Sequence, residues 1–324
     1  MKMEKNFFRS FSSIVLCFVL GITLFTGCSN SSSNKEETKD KKQETTQKES
    51  YKDSSYIVDS DWLSKNLNKD NVIIIDARPD KDYKKGHIPG AINVQWPYFT
   101  NQEGKPGEKD WGMLLPEKEL SKKLSSLGID KNKTIVAYAE NKSGWGEDGR
   151  IIWMLRMLGI ENSKMLNGGF DYWKNKNLEI SKDDVTPKKS DFIVENMDKS
   201  MYADTKWVKE NLDKIKILDA REEVEYKGAT KYGEARGGHL PGAKLFTFNK
   251  AFNEDQSLKS QKEIEDLLTE AGIKKDDEIL TYCTAGIRSA HLALVLKMCG
   301  YNNVKNYDGS FYMWSADKNL QIEK

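Results

Sequence analysis

Two stretches decide the fold: 72-VIIIDAR-78 and 216-KILDAR-221. Each is a short apolar, β-rich run that ends in Asp-Ala-Arg. Working outward, both are followed by the same words in the same order. The first copy continues with GHIPGA (86–91), TIVAYA (134–139), MLGI (157–160) and NGGFDYW (167–173). The second continues with GHLPGA (238–243), EILTYC (278–283), MCGY (298–301) and DGSFYMW (308–314). The spacing between copies is 143 for the Asp-Ala-Arg words, 144 for Tyr138 to Tyr282 and 141 for Gly159 to Gly300. So small a drift over so many matches marks a duplicated domain.

Within each copy, apolar runs alternate with amphipathic stretches. Val72 to Ile75, Thr134 to Tyr138, Ile217 to Leu218 and Glu278 to Tyr282 read as strands. Continuous apolar runs suit strands buried on both faces of a parallel sheet. Pro116 to Leu127 and Ser260 to Ala271 read as helices. The latter carries Ile264, Leu267, Leu268 and Ala271 at i, i+3, i+4, i+7, with Gly128 and Gly272 fitting as C′ residues. Ser289 to Cys299 reads as a third helix that stops before Gly300. The order strand, loop, helix, repeated, gives an α/β fold with a mostly parallel sheet flanked by helices in each copy. The predicted domains span 56–180 and 190–324. The charged stretch 176–200, with Pro187, forms the junction, and Phe192 to Val194 reads as a strand that either copy could claim. In such sheets ligands bind at the carboxyl ends of the strands, and Cys283 is the first residue past one.

Of the 324 residues, 31% are charged and 38% hydrophobic, with a net charge of +1. Lysines interleave with acids, so the clustered excess that a nucleic-acid binder needs is lacking. Cys17, Cys28, Cys283 and Cys299 show no CxxC spacing, and His87, His239 and His291 are far apart. This suggests neither a zinc site nor a disulfide framework. Lys2, Lys5 and Arg9 precede a nearly uncharged apolar run, Phe11 to Thr26, of about sixteen residues. That is short for a membrane span of roughly 20 and suits a signal segment. The run ends at LFTGC (24–28), which resembles a bacterial lipobox with Phe25 as a departure. Residues 1–27 are thus expected to be a lipoprotein signal and Cys28 the lipidated residue. That would place the body in the cell envelope, outside the cytoplasmic membrane and attached through the lipid anchor alone. Residues 28–55 are expected to be a disordered tether. The part from 29 to 54 balances six Lys with six acidic residues and has almost no apolar content,.

The loop Cys283-Thr284-Ala285-Gly286-Ile287-Arg288-Ser289 runs from a strand end into a helix start. Backbone N–H groups at such a place favour negative charge, so the thiol of Cys283 is expected to ionise readily. Gly286 permits a tight curl, Arg288 reinforces the positive field, and Ser289 is a candidate helix cap. Cys299, about eleven residues on from Arg288, lies roughly 16 Å away along a helix. That is too far for a disulfide, which needs Cα atoms within about 7 Å. Cys299 reads as a buried small hydrophobe. His87 and His239 read as fold-fixing, and His291 has no evident partner.

Taken together, the paired Asp-Ala-Arg and GHxPGA words, the Tyr282-Cys283 loop and the Gly-Phe-Trp endings resemble the tandem-domain rhodanese family over roughly residues 56–320. The resemblance implies two rhodanese-like domains with only the C-terminal one catalytic. Ala139 stands where the duplicate has Cys283, and Glu140, Glu147 and Asp148 make the first loop hostile to anions. It also implies that Arg221 binds an anionic donor; a salt bridge with Asp219 or Glu222 is the other reading of that side chain. Thr284, Ala285, Gly286, Ile287 and Arg288 are expected to bind substrate beside it.

The implied reaction is attack of the Cys283 thiolate on the outer sulfur of thiosulfate. Sulfite leaves, and the Cys283 persulfide passes its sulfur to cyanide, a thiol or a reduced protein. No metal or organic cofactor is called for. Use of 3-mercaptopyruvate as donor and a non-turnover sulfur-carrier or binding module are the alternatives. Phosphatase chemistry is disfavoured, because four residues separate Cys283 from Arg288 where cysteine phosphatases of related fold have five. Trp96, Tyr98, Trp111 and Trp145 are read as shaping a cleft mouth or packing locally.

Overall fold

A computed structural model describes residues 51–324. The first half contains β1 (Ile57–Val58), α1 (Ser60–Ser64), β2 (Val72–Asp76), α2 (Asp80–Tyr83), β3 (Ala91–Asn93), α3 (Glu117–Ser126), β4 (Thr134–Tyr138), α4 (Glu147–Met157), β5 (Ser163–Leu166) and α5 (Gly169–Asn175). The second repeats them as β6 (Tyr202–Ala203), α6 (Thr205–Asn211), β7 (Lys216–Asp219), α7 (Glu223–Tyr226), β8 (Lys244–Leu245), α8 (Gln261–Glu270), β9 (Ile279–Tyr282), α9 (Ile287–Met298), β10 (Val304–Tyr307) and α10 (Ser310–Ala316). Two five-stranded sheets result, ordered β1-β5-β4-β2-β3 and β6-β10-β9-β7-β8. Every strand pair is parallel. This is the expected α/β class, built twice.

The repeated words are the joints of each copy. Arg78 clasps Asp76 through Nε and Nη2 and donates from Nη2 to the Gly86 carbonyl at 2.8 Å. Tyr138 donates to Asp76 at 2.7 Å and accepts from the Ile88 N–H at 3.0 Å. Thus Asp-Ala-Arg, GHxPGA and the strand-end tyrosine form one buried network. His87 stacks on Tyr83 at 3.8 Å and His239 on Tyr226 at 3.7 Å, each with Nδ1 at 3.0 Å from that tyrosine's carbonyl oxygen. Both are committed to holding the fold. Ser260 caps α8 in a capping box with Glu263, and Gly128 and Gly272 adopt positive φ after α3 and α8.

The two halves pack through α4 and α9. Both helices are buried nearly all round, which is the mark of a helix enclosed by core. A Cβ on Gly149 would fall 2.4 Å from the His291 Cβ, so only glycine lets the helices approach this closely. One apolar cluster spans the junction and includes Ile151, Leu155, Phe248, Leu292 and Val295. His291 lies inside it against Phe248 and Phe252, and burial pushes its pKa down to about 3.

Three expectations need correction. Phe192 and Val194 are buried in the shared core but form no strand; the Val194 N–H is taken by the Ser121 hydroxyl at 2.8 Å instead of a neighbouring strand. The tether does not run to residue 55. The Tyr51 hydroxyl donates to the Lys259 carbonyl, the Lys52 N–H to Gln261 at 2.6 Å and the Asp53 N–H to the Met298 carbonyl at 3.0 Å. The start of the described chain is therefore fastened to α8 and α9 of the second half, where polar side chains gain partners that composition does not reveal. Ser289 does not cap α9, which begins two residues earlier after Gly286 in the left-handed conformation at φ 74°. The signal segment, Cys28 and most of the tether, all within residues 1–50, lie outside the described residues.

Candidate active site

β9 delivers Cys283 to the carboxyl edge of the second sheet, and the next four residues curl beneath it. The fold of this curl is set from two sides. From α10, the Phe311 and Tyr312 N–H groups donate to the Cys283 and Thr284 carbonyls, both at 3.0 Å, while the Ser310 hydroxyl accepts the Cys283 N–H at 3.1 Å. From the other half of the chain, Arg150 on α4 donates through Nη1 to the Gly286 carbonyl at 3.2 Å and through Nη2 to the Gly112 carbonyl at 3.1 Å. Arg150 also pairs with Asp308, buried like itself, and Asp308 accepts the Leu114 N–H at 3.0 Å. A side chain at Gly286 would meet the Asp308 carbonyl at 2.6 Å, so glycine is required there by space as well as by φ.

Burial alone would push the Cys283 thiol up. Against it stand the Arg288 charge, the Ser289 hydroxyl at 3.5 Å, and the backbone N–H groups of Ser289 and Ala285, and the balance lies below the usual thiol range. Arg288 is fixed by Glu225, which takes both guanidinium ends at 2.8 and 2.9 Å. Thr284 donates to the same carboxylate at 2.7 Å and accepts from Arg288 at 2.8 Å. Cys299, by contrast, is pushed up to about 12 by burial. Both cysteines are free.

Cys283 floors a half-open cavity of about 100 Å³, walled by Trp96, Trp111, Trp145, Tyr232, Ile287 and Tyr312. Thr284, Ala285 and Arg288 complete it. Of the expected aromatic residues, Trp96, Trp111 and Trp145 reach this wall. Tyr98 does not, as its ring packs on Phe99 and its hydroxyl meets Ser126 at 3.0 Å. Gly286 shapes the curl from behind instead of facing the cavity.

Arg221 is anchored within the fold. It is fully buried, clasps Asp219 and donates to the Gly238 carbonyl at 2.7 Å. Its guanidinium lies 3.9 Å from the Phe311 ring centre. Arg78 repeats this arrangement over Phe170 at 3.6 Å in the half whose loop has Ala139 in place of the cysteine. Arg221 lines not the Cys283 cavity but a neighbouring recess that shares Trp145 and Arg288 with it, and its Nη1 has no hydrogen-bond partner. The ion pair with Asp219 is the reading its geometry favours.

Sequence reasoning missed Glu225, Ser310, Arg150 and Tyr232. A buried Arg288 needs a carboxylate facing it, which was a signal for some acid but not for which one. Arg150 carried no signal, since only the packing of α4 on α9 brings it to the loop. Among the described residues no cluster of His, Cys, Asp and Glu is arranged to hold a metal, and no helix is long and apolar enough to cross a membrane.

The site and its scaffold define a class. The chain belongs to the rhodanese-like domain family, whose profile matches residues 59–176 and again 204–317. It is a tandem member of this sulfurtransferase family. Among its relatives, a sulfur carrier protein of Thermus thermophilus, TtuD, is 31% identical over 85% of this chain and 98% of its own. A protein of Saccharopolyspora erythraea, provisionally named thiosulfate sulfurtransferase, is 29% identical over 82% of this chain and 95% of its own. The fold is shared with the anaerobic ergothioneine biosynthesis enzyme of Chlorobium limicola, solved with trimethyl histidine. There the TM-score is 0.74 at 24% identity, over 85% of this chain and 71% of that one.

Proposed function

We propose that the protein moves a sulfane sulfur from thiosulfate to a thiophilic acceptor through a persulfide on Cys283. The observation that carries the reading is a buried thiol held below its usual pKa at the floor of a small-molecule cavity. A thiolate is the form that attacks sulfur. Attack on the outer sulfur of thiosulfate forms the Cys283 S–S bond and releases sulfite with the electron pair of the broken bond. The loop N–H groups and Arg288 face the negative charge of both the thiolate and the persulfide. Intact-mass analysis after thiosulfate treatment tests this: one added sulfur, absent in Cys283→Ser, is expected, and an unchanged mass refutes it. Comparing kcat/KM for thiosulfate and 3-mercaptopyruvate identifies the donor.

The likeness to the Thermus carrier supports a second reading, a protein that accepts and holds sulfur for a partner. A long-lived persulfide with slow turnover on free donors would favour it. For the N-terminus, the LFTGC word supports a lipid anchor at Cys28 and a location in the cell envelope. Mass analysis of the N-terminal peptide from a membrane fraction tests this, with a diacylated cysteine as the expected species.

A further inference from the structure

The aromatic walls of the cavity, unlike its floor, offer little to an anion. Three tryptophans and two tyrosines enclose it, and its lining is almost wholly apolar. The rings stand edge to face: Trp96 on Trp111 at 6.3 Å, Trp111 on Tyr312 at 5.5 Å, and Trp145 on Tyr232 at 5.6 Å. The nearby cations pair with carboxylates, Arg288 with Glu225 and Lys231 with Glu222, and both lie over the Tyr232 ring, at 6.0 and 5.3 Å from its centre, so that wall already attracts positive charge. Glu234, 5% exposed, takes the Tyr232 N–H at 2.9 Å with one carboxylate oxygen and leaves the other without a partner. At the floor the Cys283 thiol is held below its usual range. Electron-rich rings attract organic cations, alkylated ammonium groups among them.

We propose that the sulfur acceptor of this site is a small thiol bearing an ammonium or alkylammonium group, held by the Trp96, Trp111, Trp145, Tyr232 and Tyr312 walls. The inference rests on the persulfide reading above and adds the class of acceptor to it. The donor is met by the loop N–H groups at the floor, and the acceptor by the walls. In the transfer step the acceptor thiolate attacks the outer sulfur of the Cys283 persulfide. A new S–S bond forms on the acceptor, the old one breaks, and its electron pair returns to the Cys283 thiolate, so no external oxidant or reductant is needed. Three of the five rings come from the half that has Ala139 where the other has Cys283, which assigns acceptor choice to that half.

Two measurements on the full chain test the assignment. In the first, persulfide-loaded protein is offered thiocholine, cysteamine, 2-mercaptoethanol or 3-mercaptopropionate, with rates corrected for thiolate fraction. The two cationic thiols should be faster than 2-mercaptoethanol by about 10-fold and the anionic thiol slowest. In Trp145→Leu and Trp96→Leu the ratio of thiocholine to 2-mercaptoethanol should fall toward one. Equal rates, or a preference for the anion, overturn the proposal. The second needs no persulfide. Tetramethylammonium should slow alkylation of Cys283 by iodoacetamide relative to sodium chloride at equal ionic strength, and should do so less in Trp145→Leu. No protection overturns the cation assignment, whereas failure to load sulfur at all sinks the persulfide reading alone.

Discussion

The loop from Ala139 to Gly146 and the loop from Cys283 to Gly286 leave equivalent strands and enter equivalent helices, yet one is closed on itself and the other open. Both end in a glycine at φ 74°. The first is longer by four residues. Its extra length brings in its own anions: Asp171 accepts the Asn141 and Lys142 N–H groups at 3.0 and 3.2 Å, and Glu147 accepts the Trp145 N–H at 2.9 Å. The donors that would cradle a thiolate are thereby satisfied internally. In the second loop the Ala285 and Ser289 N–H groups have the sulfur of Cys283 to face. The lesson is that losing the thiol and filling the cradle go together, and the closed loop is put to another use: its Trp145 walls the open loop's cavity.

The largest expected effect breaks the comparison at its centre. Cys283→Ser should lower sulfur transfer by at least about 10³-fold, because the nucleophile itself is gone. Ala139→Cys should restore nothing, since that position lies under a cradle already occupied by carboxylates. Steady-state rates with thiosulfate and cyanide check both. Measurable activity from Ala139→Cys in a Cys283→Ser background would show that the first loop is less closed than its hydrogen bonds imply.

Next in size is the cation in the first turn of α9, Arg288, at the place where α4 carries Asp148. Arg288→Met should raise the thiol pKa, read from the pH profile of alkylation, and lower kcat/KM by about 100-fold. It also strands Glu225, and a buried charge that loses its partner costs about 3–5 kcal/mol. Arg288→Met with Glu225→Leu should therefore regain stability in urea melts without regaining activity. That separation would show that the pair serves the thiolate and not the fold.

Arg150 sharpens the comparison further, because it stands in the closed half and holds the open loop. Arg150→Gln should loosen the Gly286 carbonyl and raise the Cys283 thiol pKa, with kcat lowered about 10-fold and KM little changed. Arg150→Lys should recover part of the loss. A merely structural role would lower the melting temperature and leave the alkylation profile where it was.

How much of this could be read in the sequence follows from which interactions are local. The duplication, the strands, the helices from Pro116 and Ser260 and the placement of Cys283 all rest on short words with local causes. The loop's anion cradle was legible for the same reason, as strand end, glycine and helix start are contiguous. The donor-binding role of Arg221 came from the family resemblance alone, and the salt bridge was the other reading of that side chain. Only the fold shows its guanidinium tied to Asp219 and covered by Phe311. Arg150, Glu225 and Tyr232 were invisible for the opposite reason. They meet the loop from 136, 63 and about 50 residues away, through packing that no local pattern encodes.

The smallest effect probes the closed loop's helix. Asp148, in the first turn of α4, is fully buried; burial raises its pKa from the ordinary 3.8 to about 7, and one of its oxygens has no partner. Between these two values the folded chain keeps a proton that the unfolded chain has released. The contribution to stability is thus complete at low pH, declines as pH rises toward 7, and stays lost above it. Asp148→Asn has the same shape and never ionises, so it should remove this decline. The gain in melting temperature over the parent should be larger at pH 8 than at pH 5, by several degrees, given roughly 2–4 °C per kcal/mol for a chain of this size. His291, driven the opposite way to about 3, adds an opposing slope on the acid side, but it is present in both proteins and cancels in the difference. An equal gain at the two pH values would mean that Asp148 is hydrated, and that the closed loop is less dry than the open one's mirror image requires.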